Sequence, residues 1–323
     1  MTELVVADLG GTHARFALAE IGDGRVTRLG DPVTLRTADH ASLQTAWEEF
    51  ARRVGNPLPP AAAIAIAGRV GGEVLRLTNN PWLIRPARIK ETLGASRHVL
   101  INDFGAVGHA VAQLSSQHFE HVCGPDKPLP AHGVTSIVGP GTGLGIGQLL
   151  LTPQGYHVIE TEGGHVDFAP LDPLDDRILT LLRGRYRRVS VERIVSGAGL
   201  FDIYGALAMI EGHHTDYCDE RALWTAALDG SDSIAAAALD RFCLSLGSVA
   251  GDTALMHGAS AVVIAGGLGL RLAWHLPQSG FGERFIAKGR FERQMSEVPV
   301  KLITHPQPGL FGAAAAFAAR FGN

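Results

Sequence analysis

Leu4-Val5-Val6-Ala7 is a continuous apolar run that stops at Asp8, and a double glycine, Gly10-Gly11, follows. Beyond the glycines Thr12, Ala14, Phe16 and Leu18 alternate with His13, Arg15 and Ala17. An apolar run before a glycine pair and a period of two after it predict strand, tight turn, strand. Ala61–Gly68 predicts a buried strand, with Gly71–Trp82 as its hairpin partner ending in a turn. His98–Asp103 predicts another short strand, and Ala106, Val107, Ala110, Val111 and Leu114 behind it make one helical face. Strand into helix is an α/β signal. Thr135–Leu151 repeats the opening pattern of apolar run, glycine cluster and second apolar run, a weak internal repeat. Helical spacing dominates Arg193–Ile210 and Asp232–Gly258, and a third strand–glycine unit follows at Ala259–Leu272. Pro308–Phe321 predicts an Ala/Gly helix able to approach a neighbour closely.

The length of 323 residues suggests two lobes, because a single core stops growing at about 250–300 residues. The Pro/Gly-rich stretch Gly124–Gly133 is either a lobe boundary or a long loop. A net charge of -4 argues against a nucleic-acid partner, which calls for a basic face. Cys123, Cys218 and Cys243 are odd in number and far apart, which suits a reducing compartment and builds neither a disulfide framework nor a zinc site. No leader pattern opens the chain and no apolar run approaches a membrane span, so the expectation is a cytoplasmic protein with no membrane partner.

Glycines after a strand let the backbone approach a ligand such as a phosphate. The dinucleotide fingerprint and the P-loop both fail here: each opens a helix, and no lysine precedes Lys90. The remaining readings of Gly10-Gly11 are an ordinary hairpin turn or a phosphate grip made of backbone amides. Asp103 likewise reads two ways, as a carboxylate at the carboxyl edge of a strand or as the N-cap of the next helix. Arg183, Arg185, Arg187 and Arg188 form a local basic run that reads as a solvated face.

The strings DLGGTHARFAL, LTNNPW, INDF, GPGTGLG, ETEGGHVDFAP, VERIVSGAGL and AGGLG, in this order, resemble the bacterial glucokinase family over essentially the whole chain. The three scattered cysteines match its branch without structural zinc. The resemblance implies a two-lobed actin-like ATPase (ribonuclease H-like) α/β fold with a central cleft. The small lobe would comprise 1–108 plus 303–323, and the large lobe 109–302. It implies ATP with Mg²⁺, glucose phosphorylated at the 6-hydroxyl, and a homodimer. Asp8, Leu9, Gly10, Gly11, Thr12 and His13 would hold the nucleotide, with Asp8 reaching Mg²⁺ through water. His13 stands where members often carry Asn. Gly141, Thr142 and Gly143 would form the second phosphate hairpin, and Gly266 and Gly267 would lie under the adenosine. Asp103 would be the general base. Asn79, Asn80, Asn102, Asp103, Glu162, His165 and Glu192 would bind the sugar, Glu162 and His165 from a loop because Gly163 and Gly164 disfavour a helix.

The same strings leave room for a kinase of mannose, fructose or an amino sugar. A sugar-sensing regulator on this fold would need an N-terminal DNA-binding segment, for which a first strand starting near Leu4 leaves no space. A nucleotide-driven chaperone or filament protein would have no use for the polar set Asn79–Asn80, Glu162–His165 and Glu192.

Overall fold

The computed structural model describes all residues except Asn56, Arg69, Thr78, Asn79, Asp216 and Asn323. The chain divides into two compact units. The first takes Met1–Ser115, Val158–Glu160 and His305–Asn323, and the second takes Ser116–His157 and Thr161–Thr304. A boundary at residue 108 would cut a helix, Asp103–Gln113, and the chain divides after that helix instead.

In the first unit β1 (Thr2–Leu9), β2 (His13–Gly22), β3 (Arg25–Leu29) and β4 (Val33–Arg36) precede α1 (Leu43–Val54). Then come β5 (Ala61–Ile66), the two-residue β6 (Leu75–Arg76) and β7 (Leu83–Ile84), α2 (Ile89–Leu93), β8 (Arg97–Asn102) and α3 (Asp103–Gln113). The main sheet runs β3-β2-β1-β5-β8, with β4 also on β2. β1 is antiparallel to β2 and parallel to β5, which is parallel to β8. Among the described residues, β6 within Gly71–Trp82 pairs with β7 and not with β5. A strand with parallel neighbours on both sides has no edge left for a hairpin partner.

Successive residues of a strand face opposite ways, and here both faces are covered. Val5, Ala7, Ile64 and Ile66 join Trp47 and Phe50 of α1 on one face. Leu4, Val6, Ala61, Ala63 and Ala65 join Leu310, Ala313, Ala314 and Phe317 of the C-terminal helix, Pro308–Phe321, on the other. The alternation in AAAIAI therefore sends Ala62, Ile64 and Ile66 to the α1 face and Ala61, Ala63 and Ala65 to the C-terminal helix. That helix also lies on α3, where Gly312 sits against the Ala106 carbonyl with no room for a Cβ.

The second unit contains β9 (Phe119–Cys123), β10 (Gly133–Pro140), β11 (Leu144–Thr152) and β12 (Gly155–Thr161), the last including the three residues that group with the first unit. Helices α4 (Pro173–Arg185), α5 (Val191–Ile194), α6 (Gly197–Glu211), α7 (Glu220–Asp229) and α8 (Ser233–His257) follow. The unit closes with β13 (Ala261–Ile264), α9 (Gly266–Arg271), α10 (Phe281–Ile286), α11 (Glu292–Met295) and β14 (Val300–Ile303). Its sheet runs β12-β11-β10-β13-β14-β9, with β10 antiparallel to β11 and parallel to β13. Hairpin first, then two parallel strands on the far side of its leading strand, is also the plan of the first sheet. α8 corrects one expectation, being long and apolar enough to cross a membrane. Its Ala235, Ala238, Leu239, Phe242 and Leu246 are fully buried in the core of the unit.

Candidate active site

Asp8 and Leu9 end β1, and β2 pairs back with Asp8 opposite Arg15 and Leu9 opposite Ala14. Gly10 N–H closes the turn on the His13 carbonyl at 3.0 Å. Leu9 is wholly buried, and its carbonyl accepts from Ala67 N–H at 3.0 Å. Two carbonyls of the turn point back into the unit: Thr37 Oγ1 donates to Gly11 at 2.8 Å and Thr37 N–H to Thr12 at 3.0 Å. In a trans peptide the following N–H points opposite to the carbonyl. The amides of Thr12 and His13 therefore face outward, as a phosphate grip requires. Nothing in the local sequence marks Thr37, 25 residues beyond the turn, as the support of this loop.

Asn80 stands beside the glycine turn. Its Oδ1 accepts from Trp82 N–H at 2.8 Å and its Nδ2 points to the Gly11 carbonyl at 3.5 Å. It braces the glycine turn. Asn79 lies outside the described residues.

β8 runs directly into α3, and Asn102 rather than Asp103 caps the helix. Asn102 Oδ1 accepts from Phe104 N–H at 2.8 Å and Gly105 N–H at 3.1 Å, and its Nδ2 donates to Gly68 O at 3.0 Å. At most one N–H of that amide is left for a sugar hydroxyl. Asp103 accepts one bond from Phe104 N–H at 2.8 Å. Burial, then the charge of Asp8 and more weakly that of Glu160, push its carboxyl up to about 6 against the pull of backbone N–H groups. Burial also raises Asp8, against the lowering effect of Arg15, whose guanidinium stands 3.4 Å away. Gly309, at the start of the C-terminal helix, comes so close that a Cβ there would lie 2.9 Å from Asp8 Oδ2. That helix N-terminus favours the Asp8 anion.

In the second unit the turn between β10 and β11 is one residue shorter, with Gly141 N–H on Gly143 O at 2.8 Å. Gly197 N–H, at the start of α6, donates to the Gly141 carbonyl at 2.8 Å. Thr142 is exposed at the tip. Glu192, on α5, accepts from Leu144 N–H at 2.9 Å, and its carboxylate fills the space a Cβ on Gly143 would need. Its other oxygen stands 3.9 Å from His165 Nδ1. Glu192 thus touches the glycine turn and the histidine together.

The expected loop at 162–165 is a single 3₁₀ turn, Gly163–His165, with His165 N–H on Glu162 O at 3.0 Å. Gly164 lies against the Leu144 carbonyl with no space for a side chain, and Gly163 is tight against Ile146. Only glycines allow the turn to seat on β11, which is the physical content of the string EGGH. The basic run is not merely solvated. The Arg188 guanidinium donates to the His165 carbonyl, and its Nε to Asp167 Oδ1 at 2.5 Å. Arg185 donates to Asp202 Oδ1 at 2.5 Å.

Gly266 has φ +77 and sits on the Pro140 carbonyl, so any other residue would both strain and collide. Gly267, next to it, has open space where a Cβ would project. Together they turn β13 into α9 beside the end of β10.

Among the described residues no three His, Cys, Asp or Glu side chains cluster as a metal site. That donor set is compatible with Mg²⁺, which keeps several waters and needs only one or two carboxylates besides phosphate oxygens.

Comparison with known proteins agrees with this plan. The family model described as Glucokinase matches residues 5–320. A glucokinase of Zymomonas mobilis is 63% identical over 319 residues, covering 99% of this chain and 98% of that one. The crystal structure of a glucokinase from an Antarctic psychrotroph superposes with a TM-score of 0.86 at 33% identity, over 98% of this chain and 99% of that one. A ROK family glucokinase from Streptomyces griseus, in complex with glucose and AMPPNP, shares the fold at 18% identity, with a TM-score of 0.61 over 97% and 98% of the two chains. A match of this length and identity, on glycine hairpins and an acidic strand end of this geometry, places the chain in the glucokinase family.

Proposed function

We propose that the chain transfers the γ-phosphoryl group of ATP to the 6-hydroxyl of glucose, with Asp103 as the general base. Asp103 carries this reading. It stands at the carboxyl edge of β8, relieved of capping by Asn102, with its carboxyl raised to about 6. A base poised slightly below neutral pH is mostly ionised there yet still accepts a proton well. It takes the hydroxyl proton as the oxygen–phosphorus bond forms and the bond to the leaving ADP oxygen breaks.

The outward amides of Thr12 and His13 would bind phosphate oxygens, as would those of the Gly141-Thr142-Gly143 turn. Gly266 and Gly267 would admit the adenosine. Glu162, His165 and Glu192 would accept from and donate to the sugar hydroxyls, with the Asn102 amide contributing its remaining N–H. Asp8 would hold Mg²⁺ through water, and the ion would neutralise phosphate charge in the transition state. Arg15, already on Asp8, keeps that carboxylate oriented.

The protein would act in the cytoplasm as a homodimer, for which sedimentation velocity should show twice the chain mass. The decisive measurement is Asp103→Asn, which should lower kcat by roughly 10²–10⁴-fold with glucose affinity largely kept. A variant with near wild-type kcat removes Asp103 from the reaction.

A further inference from the structure

We propose that Glu160 is a positioning residue for Asp103, its carboxylate completing from β12 the cap of the helix that Asp103 begins. In a capping box the N-cap side chain receives the N3 amide, and a Glu or Gln at N3 returns its side chain to the N-cap amide. Asn102 performs the first half, accepting Gly105 N–H. The N3 residue is Gly105, which has no side chain to perform the second. Glu160 Oε1 does so instead, accepting Asn102 N–H at 3.1 Å.

The volumes agree with the hydrogen bond. A Cβ on Gly105 would overlap Glu160 Oε1, with Cδ at 2.8 Å and Cγ at 2.9 Å. The carboxylate thus occupies the place where an N3 side chain would begin. One turn further on, Gly108 faces Val158, with a Cβ only 2.6 Å from its Cγ1. Two glycines three apart on α3 meet two residues two apart on the strand, so Val158–Glu160 is seated along a built groove. Asn102 precedes the base directly, and tethering its amide sets where α3 starts and where the Asp103 carboxylate points.

The inference rests on Asp103 being the base, and kinetics on the full-length chain separates the two ideas. Glu160→Ala should lower kcat by about 5- to 20-fold, with KM for glucose and ATP within about twofold. Glu160→Gln keeps an acceptor oxygen and should hold kcat within about threefold. The charged groups that act on Asp103 are Asp8 on β1, itself paired with Arg15 on β2, and Glu160 on β12. The double variant Gly105→Glu/Glu160→Ala restores the carboxylate in cis and should recover at least about threefold of the lost kcat. Wild-type kcat in Glu160→Ala overturns the role of Glu160 and leaves Asp103 untouched. A fully active Asp103→Asn overturns the base instead. Should Glu160→Ala fail to fold, Glu160→Met, which keeps the length of the side chain and deletes the acceptor, decides, with parental kcat again overturning the role.

Discussion

Asp103 and Asn102 are adjacent polar residues at one strand end, and their division of labour is the finest detail the site contains. Both are good N-caps by residue type. The backbone leaves Asn102 in an extended conformation, with φ -64 and ψ 146, and so makes it the cap. Asp103 then pays for its position by burial beside Asp8. Its folded pKa of about 6 lies above the ordinary 3.8, so the folded state binds the proton more tightly. Below pH 4 both folded and unfolded chains are protonated there and the site costs nothing. As pH rises through 6 the cost appears in full, on the order of 1–3 kcal/mol. Asp103→Asn should therefore be more stable than the parent at pH 8 and nearly equal to it at pH 4, measured by urea titration. The same group requires kcat/KM to fall as pH drops through about 6. Equal stability of the two proteins at pH 8 would contradict the burial assigned to this carboxylate.

At the scale of elements, the two hairpins were legible because glycines between two strand-like runs mark a tight turn. Their supports were not. Thr37 and Asn80 hold the first turn from distant parts of the chain, and Gly197 and Glu192 hold the second. Such partners carry no local signal, since only the folded chain brings them near. Thr37→Val keeps the shape and deletes the hydroxyl on the Gly11 carbonyl. It should cost about 1–2 kcal/mol and raise KM for ATP several-fold while leaving KM for glucose unchanged. Equal shifts in both KM values would mean that the turn serves the sugar as well. The Arg188 guanidinium illustrates the same lesson: nothing in the local sequence pairs this exposed arginine with the His165 carbonyl and Asp167.

For the molecule as a whole, each unit carries a sheet that leads with a glycine-turned hairpin and continues with parallel strands. The weak repeat between Leu4–Leu18 and Thr135–Leu151 is the sequence trace of that shared plan. Ligand that binds only the folded state stabilises the whole chain by mass action, about 2.7 kcal/mol at one hundred times Kd. Glucose should therefore raise Tm of the parent by several degrees, and the rise should vanish at the same concentration in Glu162→Gln/His165→Ala. An undiminished rise in that variant would place the sugar elsewhere.

Periodicity and glycine placement alone determined the two glycine hairpins, β5, β8, β13, α3, α6, α8 and the C-terminal helix, because backbone sterics and burial act over a few residues. The string EGGH was legible for the same reason, its glycines being a local constraint on what can fit against β11. Which residue caps α3, which groups brace the turns and why Asp103 holds its proton so tightly were decided by tertiary structure only. Those properties depend on burial and on charges brought together from β1, β8 and β12, distances that no reading along the chain can supply.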